Sequence, residues 1–190
     1  MTSDTRAEHD VIDLLIEQHR AIRALFAEVK RVRKDAKPEA FGRLVRLLAA
    51  HETAEEQLVH PLARVSLREG RDIVVSRLAE ERAAKETLAA LEKMGTDAPE
   101  FPALLDRFRD DVLEHARQEE ADEFRLLREK VPSFELRALV PMVKLAAAVA
   151  PTHPHPGVES ATLNNLAGPA LSLFDRTKDV VRTAIGKGRA

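Results

Sequence analysis

The sequence predicts an all-α protein, an antiparallel up-down four-helix bundle followed by an additional C-terminal helix, and three observations support this fold class. Apolar residues recur with a period near 3.6 over four long stretches before about position 130. Glycine and proline are scarce in that part of the chain, and no stretch shows the alternating pattern of a β-strand. The connections between the stretches are short, which favours antiparallel packing of neighbouring helices.

The ends of the four helices follow from glycine, proline and the limits of each apolar pattern. We expect the first helix from about residue 10 to residue 34. The second should open at Pro38, because the missing N–H of proline needs no partner in a first helical turn. The third should lie between Gly70 and Gly95, since glycine commonly follows a helix C-terminus. The fourth should run from about residue 99 to residue 130 and stop before the proline that follows.

The chain is expected to contain more than the bundle. We predict a bundle over residues 8–132, an additional helix over 133–150, a Pro-rich linker over 151–169 and an amphipathic tail over 170–190. The apolar face of the tail helix is too short to be stable alone. We therefore expect this face to contact a protein partner, another subunit or a membrane surface, or to pack back on the bundle.

Composition limits the classes of function. The formal net charge is −2, which gives no reason to expect nucleic acid as a partner. Cysteine is absent, so any metal site must use imidazole and carboxylate groups. No apolar run is long enough to cross a bilayer, and the N-terminus lacks the apolar segment of a signal peptide. We therefore expect a cytoplasmic protein with no transmembrane segment.

Two of the expected helices share the pattern H-x-x-x-E-E, at HETAEE in the second and HARQEE in the fourth. Residues four apart project from one face of a helix. In both motifs that face continues the apolar stripe, so His51, Glu55, His115 and Glu119 should point into the bundle. The first helix adds His19, which lies on its apolar stripe.

A buried carboxylate without a counter-charge costs several kcal/mol or takes up a proton, so two facing carboxylates need cations. Imidazole and carboxylate together are the ligand set of iron, manganese or zinc, and carboxylates bridging two metals would explain why the motif occurs twice. The flanking Glu52, Glu56 and Glu120 are expected to be supporting or solvated residues, with Glu52 also a candidate ligand. His60 lies about half a turn from His51 on a regular helix, and we expect it at the surface or at the end of the bundle.

The segments DLLIEQHRAIRALF, LLAAHETAEEQLVHPLAR and DVLEHARQEEADEFRLLRE resemble the hemerythrin-like proteins, also called HHE cation-binding domains, over about residues 10–130. The resemblance implies an up-down bundle with a non-haem centre of two irons, which manganese or zinc could replace. It implies a small diatomic ligand or peroxide as the partner. By matching motif position, His19, His51, His115, Glu55 and Glu119 would be ligands, with the two glutamates as bridges.

The third helix departs from the family pattern, because Arg82 stands where a histidine is expected. A guanidinium has no free lone pair and cannot be a ligand. Three outcomes are open: Glu81 or Glu86 could move in, water could fill the position, or metal binding could be weakened. If the position is open, Arg82→His should restore a ligand.

Two functions therefore compete. The first is a hemerythrin-like metalloprotein that binds, senses or turns over dioxygen, peroxide or nitric oxide, and the sequence leaves open whether it is an enzyme. The second is a bundle without metal that serves as an interaction module, in which Arg82 neutralises Glu55 and Glu119. No nucleotide fingerprint or Ser–His–Asp pattern suggests a conventional enzyme.

Overall fold

The structure, a computed structural model, describes residues 9–149. This part of the chain is helical and contains no strand, which confirms the all-α class. Within it, no helix combines the length and the apolar character needed to cross a bilayer. The eight α-helices of residues 9–149 are α1 (Val11–Arg31), α2 (Lys37–Ala54), α3 (His60–Ser66), α4 (Gly70–Met94), α5 (Phe101–Gln118), α6 (Phe124–Lys130), α7 (Ser133–Ala138) and α8 (Val140–Val149).

Two π-helical turns interrupt the α-helical pattern at the shared sequence motifs. The first π turn (Glu55–Val59) joins α2 to α3, and the second π turn (Glu119–Glu123) joins α5 to α6. In each, the backbone N–H that follows the turn donates to the carbonyl of its first residue, five positions earlier. Such turns are rare and occur frequently at functional sites.

The chain begins α1 with a reciprocal cap. The backbone N–H of Asp13 donates to Asp10 Oδ1 at 2.9 Å, and the backbone N–H of Asp10 donates to Asp13 Oδ2 at 3.1 Å. These bonds satisfy donors that a helix N-terminus otherwise leaves unpaired. The helix ends at Arg31 rather than near residue 34, and Lys34–Ala36 forms a short 3-10 turn.

The turn between α3 and α4 brings two backbones together at Gly70. A Cβ added at Gly70 would lie 2.1 Å from the carbonyl oxygen of Ala63, which is far inside contact distance. Only glycine therefore fits the first residue of α4 without moving one of the helices.

The core consists of two apolar clusters at opposite ends of the helices. The α1-start cluster joins the beginning of α1 to the first π turn, α3, the beginning of α4 and α6, and it includes Ile12, Leu15, Leu58, Leu62, Val74, Phe124 and Leu127. The α1-end cluster joins the end of α1 to α2, the end of α4 and the beginning of α5, and it includes Ile22, Phe26, Leu44, Leu48, Leu88, Leu91, Phe101 and Phe108. Successive helical stretches therefore run in opposite directions.

The last two described helices belong to the same core. Leu136 of α7 and Val143 of α8 are buried, together with Leu139 between them, in the α1-start cluster. Burying a large aliphatic side chain stabilises a fold by about 1.5–3 kcal/mol. These two helices thus pack at one end of the helices. The region between the two apolar clusters contains polar residues instead.

Candidate metal centre

The polar layer lies between the two apolar clusters and contains all five residues that the motifs predict. His51 Nε2 lies 3.3 Å from Glu55 Oε1. Glu119 lies between two imidazoles, with its Oε2 3.3 Å from His19 Nε2 and its Oε1 3.3 Å from His115 Nε2. Both glutamates are fully buried. The structure therefore brings together residues from α1, α2, α5 and the starts of both π turns.

The site residues divide into two groups that share the same pair of glutamates. One group contains His19 and His51 with Glu55 and Glu119, and the other contains His115 and Glu81 with the same two glutamates. Within each group, one potential ligand atom per residue lies within 4.8 Å of the others. Shared carboxylates between two four-residue groups are the arrangement expected of bridges between two metal ions.

Each of the three imidazoles is held by an oxygen atom behind it. The Nδ1 atoms of His19, His51 and His115 lie 2.8 Å from Glu120 Oε1, Gln18 Oε1 and Glu80 Oε2, respectively. A bond at Nδ1 fixes the ring and leaves Nε2 to face the centre of the layer. The sequence predicted Glu120 as a supporting or solvated residue, whereas it missed Gln18 and Glu80.

On α4 the inward position belongs to Glu81 and not to Arg82, which corrects the placement expected from the family pattern. Glu81 is 2% exposed, while Arg82 is exposed at the surface. Neighbouring residues differ by about 100° around a helix, so Arg82 points away from the layer that Glu81 faces. The sequence did carry the signal, because Glu81 lies midway between Val74 and Leu88 at seven-residue spacing.

The predicted surface position of His60 is wrong. Its side chain is buried between two carboxylates, with Nε2 2.6 Å from Glu81 Oε1 and Nδ1 3.1 Å from Glu123 Oε1. The first π turn takes up one additional residue, which rotates all following side chains back by about 100°. That rotation moves His60 from the outer face to the inner face of the helical stretch.

Lys85 completes the polar layer and was not identified from the sequence. Its Nζ contacts Glu56, lies 3.6 Å from Glu52 Oε2 and lies 4.0 Å from Glu81 Oε2. Burial acts to lower the pKa of Lys85, but Glu52 and its neighbours raise it above the usual value. The spacing of four from Glu81 was the available signal, since it places both side chains on one face of α4.

The two central glutamates differ in charge balance. Burial raises the pKa of Glu55 well above its usual value, and the neighbouring Glu119 raises it further. Burial also acts to raise the pKa of Glu119, but the positive charge of the nearby His115 holds that pKa well below the usual value. Burial acts to lower the pKa of His115, and Glu119 raises it to about 9. Glu55 therefore has no adequate counter-charge among the described side chains.

Several buried oxygen atoms of the layer have no hydrogen-bond partner among the described residues. They include both carboxylate oxygens of Glu55, both of Glu119, and Oε2 of Glu81. Buried polar groups are normally paired, so a concentration of unpaired carboxylate oxygens beside imidazole nitrogens is the chemistry of a cation site. The donor set fits a bound metal cation.

A cavity of about 380 Å³ lies beside this layer, between α4 and α5. His19, His51 and His115 form part of its wall, and the remainder combines small or aliphatic residues with acidic ones. Ala84 and Ala116 belong to this apolar part. The cavity can hold a small molecule next to the imidazole groups.

The chain belongs to the hemerythrin family, and the model of the hemerythrin HHE cation binding domain matches residues 10–127. Cation binding by this fold agrees with the buried His/Glu groups. A curated relative, a DNA nickase from Nostoc sp. (strain PCC 7120 / SAG 25.82 / UTEX 2576), is 28% identical over 130 residues, which are 67% of this chain and 36% of the relative. The chain thus spans about a third of that relative's length.

A solved structure shows the same fold. The crystal structure of a hemerythrin HHE cation binding domain-containing protein from Mycobacterium kansasii matches 89% of this chain and 99% of its own, with a TM-score of 0.65 and 19% sequence identity.

Proposed function

We propose that this chain is a hemerythrin-like protein whose polar layer holds two metal ions, with iron as the physiological metal and manganese or zinc as alternatives. The observation that carries the proposal is the pair of four-residue groups that share Glu55 and Glu119. The unpaired buried oxygens of these glutamates support it, because two positive ions would supply the charge that the described side chains lack.

The proposed ligands follow the two groups. His19 and His51 would bind one ion, and His115 and Glu81 would bind the other. Glu55 and Glu119 would bridge the two ions. Glu52 is proposed as a supporting residue, because its carboxylate lies against Lys85 at 3.6 Å and it belongs to neither group.

The proposed ligand is dioxygen, peroxide or nitric oxide, reached through the cavity between α4 and α5. Bound iron would supply a redox-active Lewis acid with coordination positions open to a small molecule. The protein's part is to fix the imidazole groups through their Nδ1 contacts, so that their Nε2 atoms face the bound ions. The nickase activity of the Nostoc relative does not extend to this proposal's site, since this chain spans about a third of that relative and the cavity has acidic rather than basic side chains in its wall.

The alternative function, an interaction module without metal, required Arg82 to neutralise the central glutamates. Arg82 is exposed, whereas Glu55 and Glu119 are fully buried and have no hydrogen-bond partner in residues 9–149. The position of Arg82 at the surface therefore does not favour this alternative, which requires its guanidinium to face the bundle interior.

The metal content of bridge variants tests the proposal. The chain, purified without added metal, should contain about two metal ions, measured by mass spectrometry, and an iron sample should show charge-transfer absorption. Glu55→Gln and Glu119→Gln should each lower occupancy of both positions together, because an amide is a weaker and uncharged bridge. Glu39→Gln, at an exposed position of α2, is the control. Unmodified chain without metal would contradict the function, and unchanged stoichiometry in the bridge variants would contradict the bridging roles.

The domain boundaries predicted from the sequence are retained as part of the proposal. The region 133–150, predicted as one helix, contains α7 and α8, and Leu136 and Val143 place both of them in an apolar cluster with α1 and α3. The Pro-rich linker over 151–169 and the amphipathic tail over 170–190 lie outside the described residues.

A further inference from the structure

The residue that α4 contributes to the polar layer differs from those of the other helices in which group faces the centre and which lies behind it. At His19, His51 and His115, an imidazole faces the centre and an oxygen atom lies behind it. On α4 a carboxylate, Glu81, faces the centre and an imidazole, His60, lies behind it. The two groups therefore differ in composition: one offers two imidazoles and two carboxylates, and the other offers one imidazole and three carboxylates.

Glu81 is held in this orientation by its neighbours. Its Oε1 contacts His60 Nε2 at 2.6 Å, and His60 is anchored on its other side by Glu123 at 3.1 Å. Lys85 lies 4.0 Å from Oε2 of Glu81, a distance too long for a hydrogen bond. One oxygen of this buried carboxylate is thus occupied and the other is unpaired within the site. The second oxygen is available to a cation.

The difference in donor atoms has a consequence for metal choice. Imidazole suits zinc and iron, whereas carboxylate suits harder ions such as manganese. Divalent zinc binds most nitrogen and oxygen sites more tightly than manganese. Both positions should therefore prefer zinc over manganese, but the size of this preference should differ between them because their donor atoms differ. Each imidazole replaced by a carboxylate reduces the preference for zinc.

We propose that the two metal positions are not equivalent: the His19–His51 position selects a softer ion such as Zn²⁺ or Fe²⁺, and the His115–Glu81 position selects a harder ion such as Mn²⁺. The inference refines the proposed function, because it allows a mixed metal pair in place of two irons. This inference rests on the proposed function, since it requires that both positions bind metal. His60 is the positioning residue of the harder position, because its contact occupies Oε1 of Glu81 and leaves Oε2 without a hydrogen bond.

Stepwise loading of the full metal-free chain tests the proposal. One equivalent of Zn²⁺ is added first, and Mn²⁺ is then titrated while electron paramagnetic resonance follows bound manganese. Because Zn²⁺ is diamagnetic, we expect one Zn²⁺ and one magnetically isolated Mn²⁺ per chain. The chain loaded with Mn²⁺ alone should instead show two coupled ions.

Two variants locate the selectivity. Glu81→His adds an imidazole to the harder position and should raise its preference for Zn²⁺ over Mn²⁺ about tenfold or more, the scale on which changes around a metal site act. Arg82→His adds an imidazole at the neighbouring exposed position and is the matched control, with no expected effect. His60→Gln should weaken Mn²⁺ binding at the second position by a similar factor and leave the first position unchanged, provided that circular dichroism shows a folded chain.

The outcomes separate this inference from the proposed function. If the unmodified chain binds neither ion, the proposed function fails and the inference fails with it. If both positions bind metal but take zinc and manganese in the same ratio, or if Glu81→His and Arg82→His behave alike, only the inference is overturned.

Discussion

Glu52 offers a test of how strongly the polar layer opposes folding when no metal is bound. Its side chain lies on α2, is 7% exposed and faces Lys85 at 3.6 Å. Burial raises the pKa of Glu52 from 4.5 to about 8, despite the opposing charge of Lys85. Glu52→Gln keeps the size of the side chain and removes its titration, so the variant isolates this effect.

The direction in which pH changes the free energy of unfolding follows from the pKa of this carboxyl group in the unfolded and in the folded chain. Below pH 4.5, Glu52 is protonated in both the folded and the unfolded chain and contributes nothing. Between pH 4.5 and pH 8, the folded chain keeps a proton that the unfolded chain releases, so the free energy of unfolding falls as pH rises. The free energy of unfolding falls by about 1.4 kcal/mol for each pH unit in this range, which amounts to about 3 kcal/mol between the lower pKa and neutral pH.

We therefore expect metal-free Glu52→Gln to be more stable than the unmodified chain by up to about 3 kcal/mol near neutral pH, and by almost nothing near pH 4.5. Urea unfolding in the presence of a chelator, followed by circular dichroism at several pH values, measures the difference. Glu39→Gln, at an exposed position of the same helix, should leave the pH dependence unchanged. Parallel stability curves for Glu52→Gln and the unmodified chain between pH 5 and pH 7 would refute the reasoning.

Three further outcomes are expected. Gly70→Ala should lower the free energy of unfolding by about 2 kcal/mol or more, because the new Cβ would lie 2.1 Å from the Ala63 carbonyl oxygen, and an unchanged thermal midpoint would contradict this. Arg82→His should leave metal content and absorption unchanged, because the position is exposed and Glu81 faces the site; a gain of metal would show that α4 presents a different face. Deleting residues 151–190 should leave the bundle folded, with a cooperative unfolding transition and unchanged metal content, and loss of either would make that segment part of the folded core.

The sequence alone determined the features that depend on local periodicity. The helical class follows from the apolar pattern, and the inward direction of His19, His51 and His115 follows from their place on it. The inward direction of Glu55 and Glu119 follows in turn, because a spacing of four residues keeps each glutamate on the same helix face as the histidine before it. Each of these predictions needs only the regular geometry of one helix.

Only the tertiary structure decided which residues complete the site. A π turn inserts one residue into a helix, and contacts across the bundle stabilise it, so the local pattern gave no reason to move His60 inward. Glu81 could have been chosen over Arg82 from its spacing with Val74 and Leu88, whereas the role of Lys85 depended on Glu52 of α2 and Glu56 of the first π turn. Burial and charge balance are properties of several helices packed together, and for this reason they could not be obtained from the pattern of any one of them.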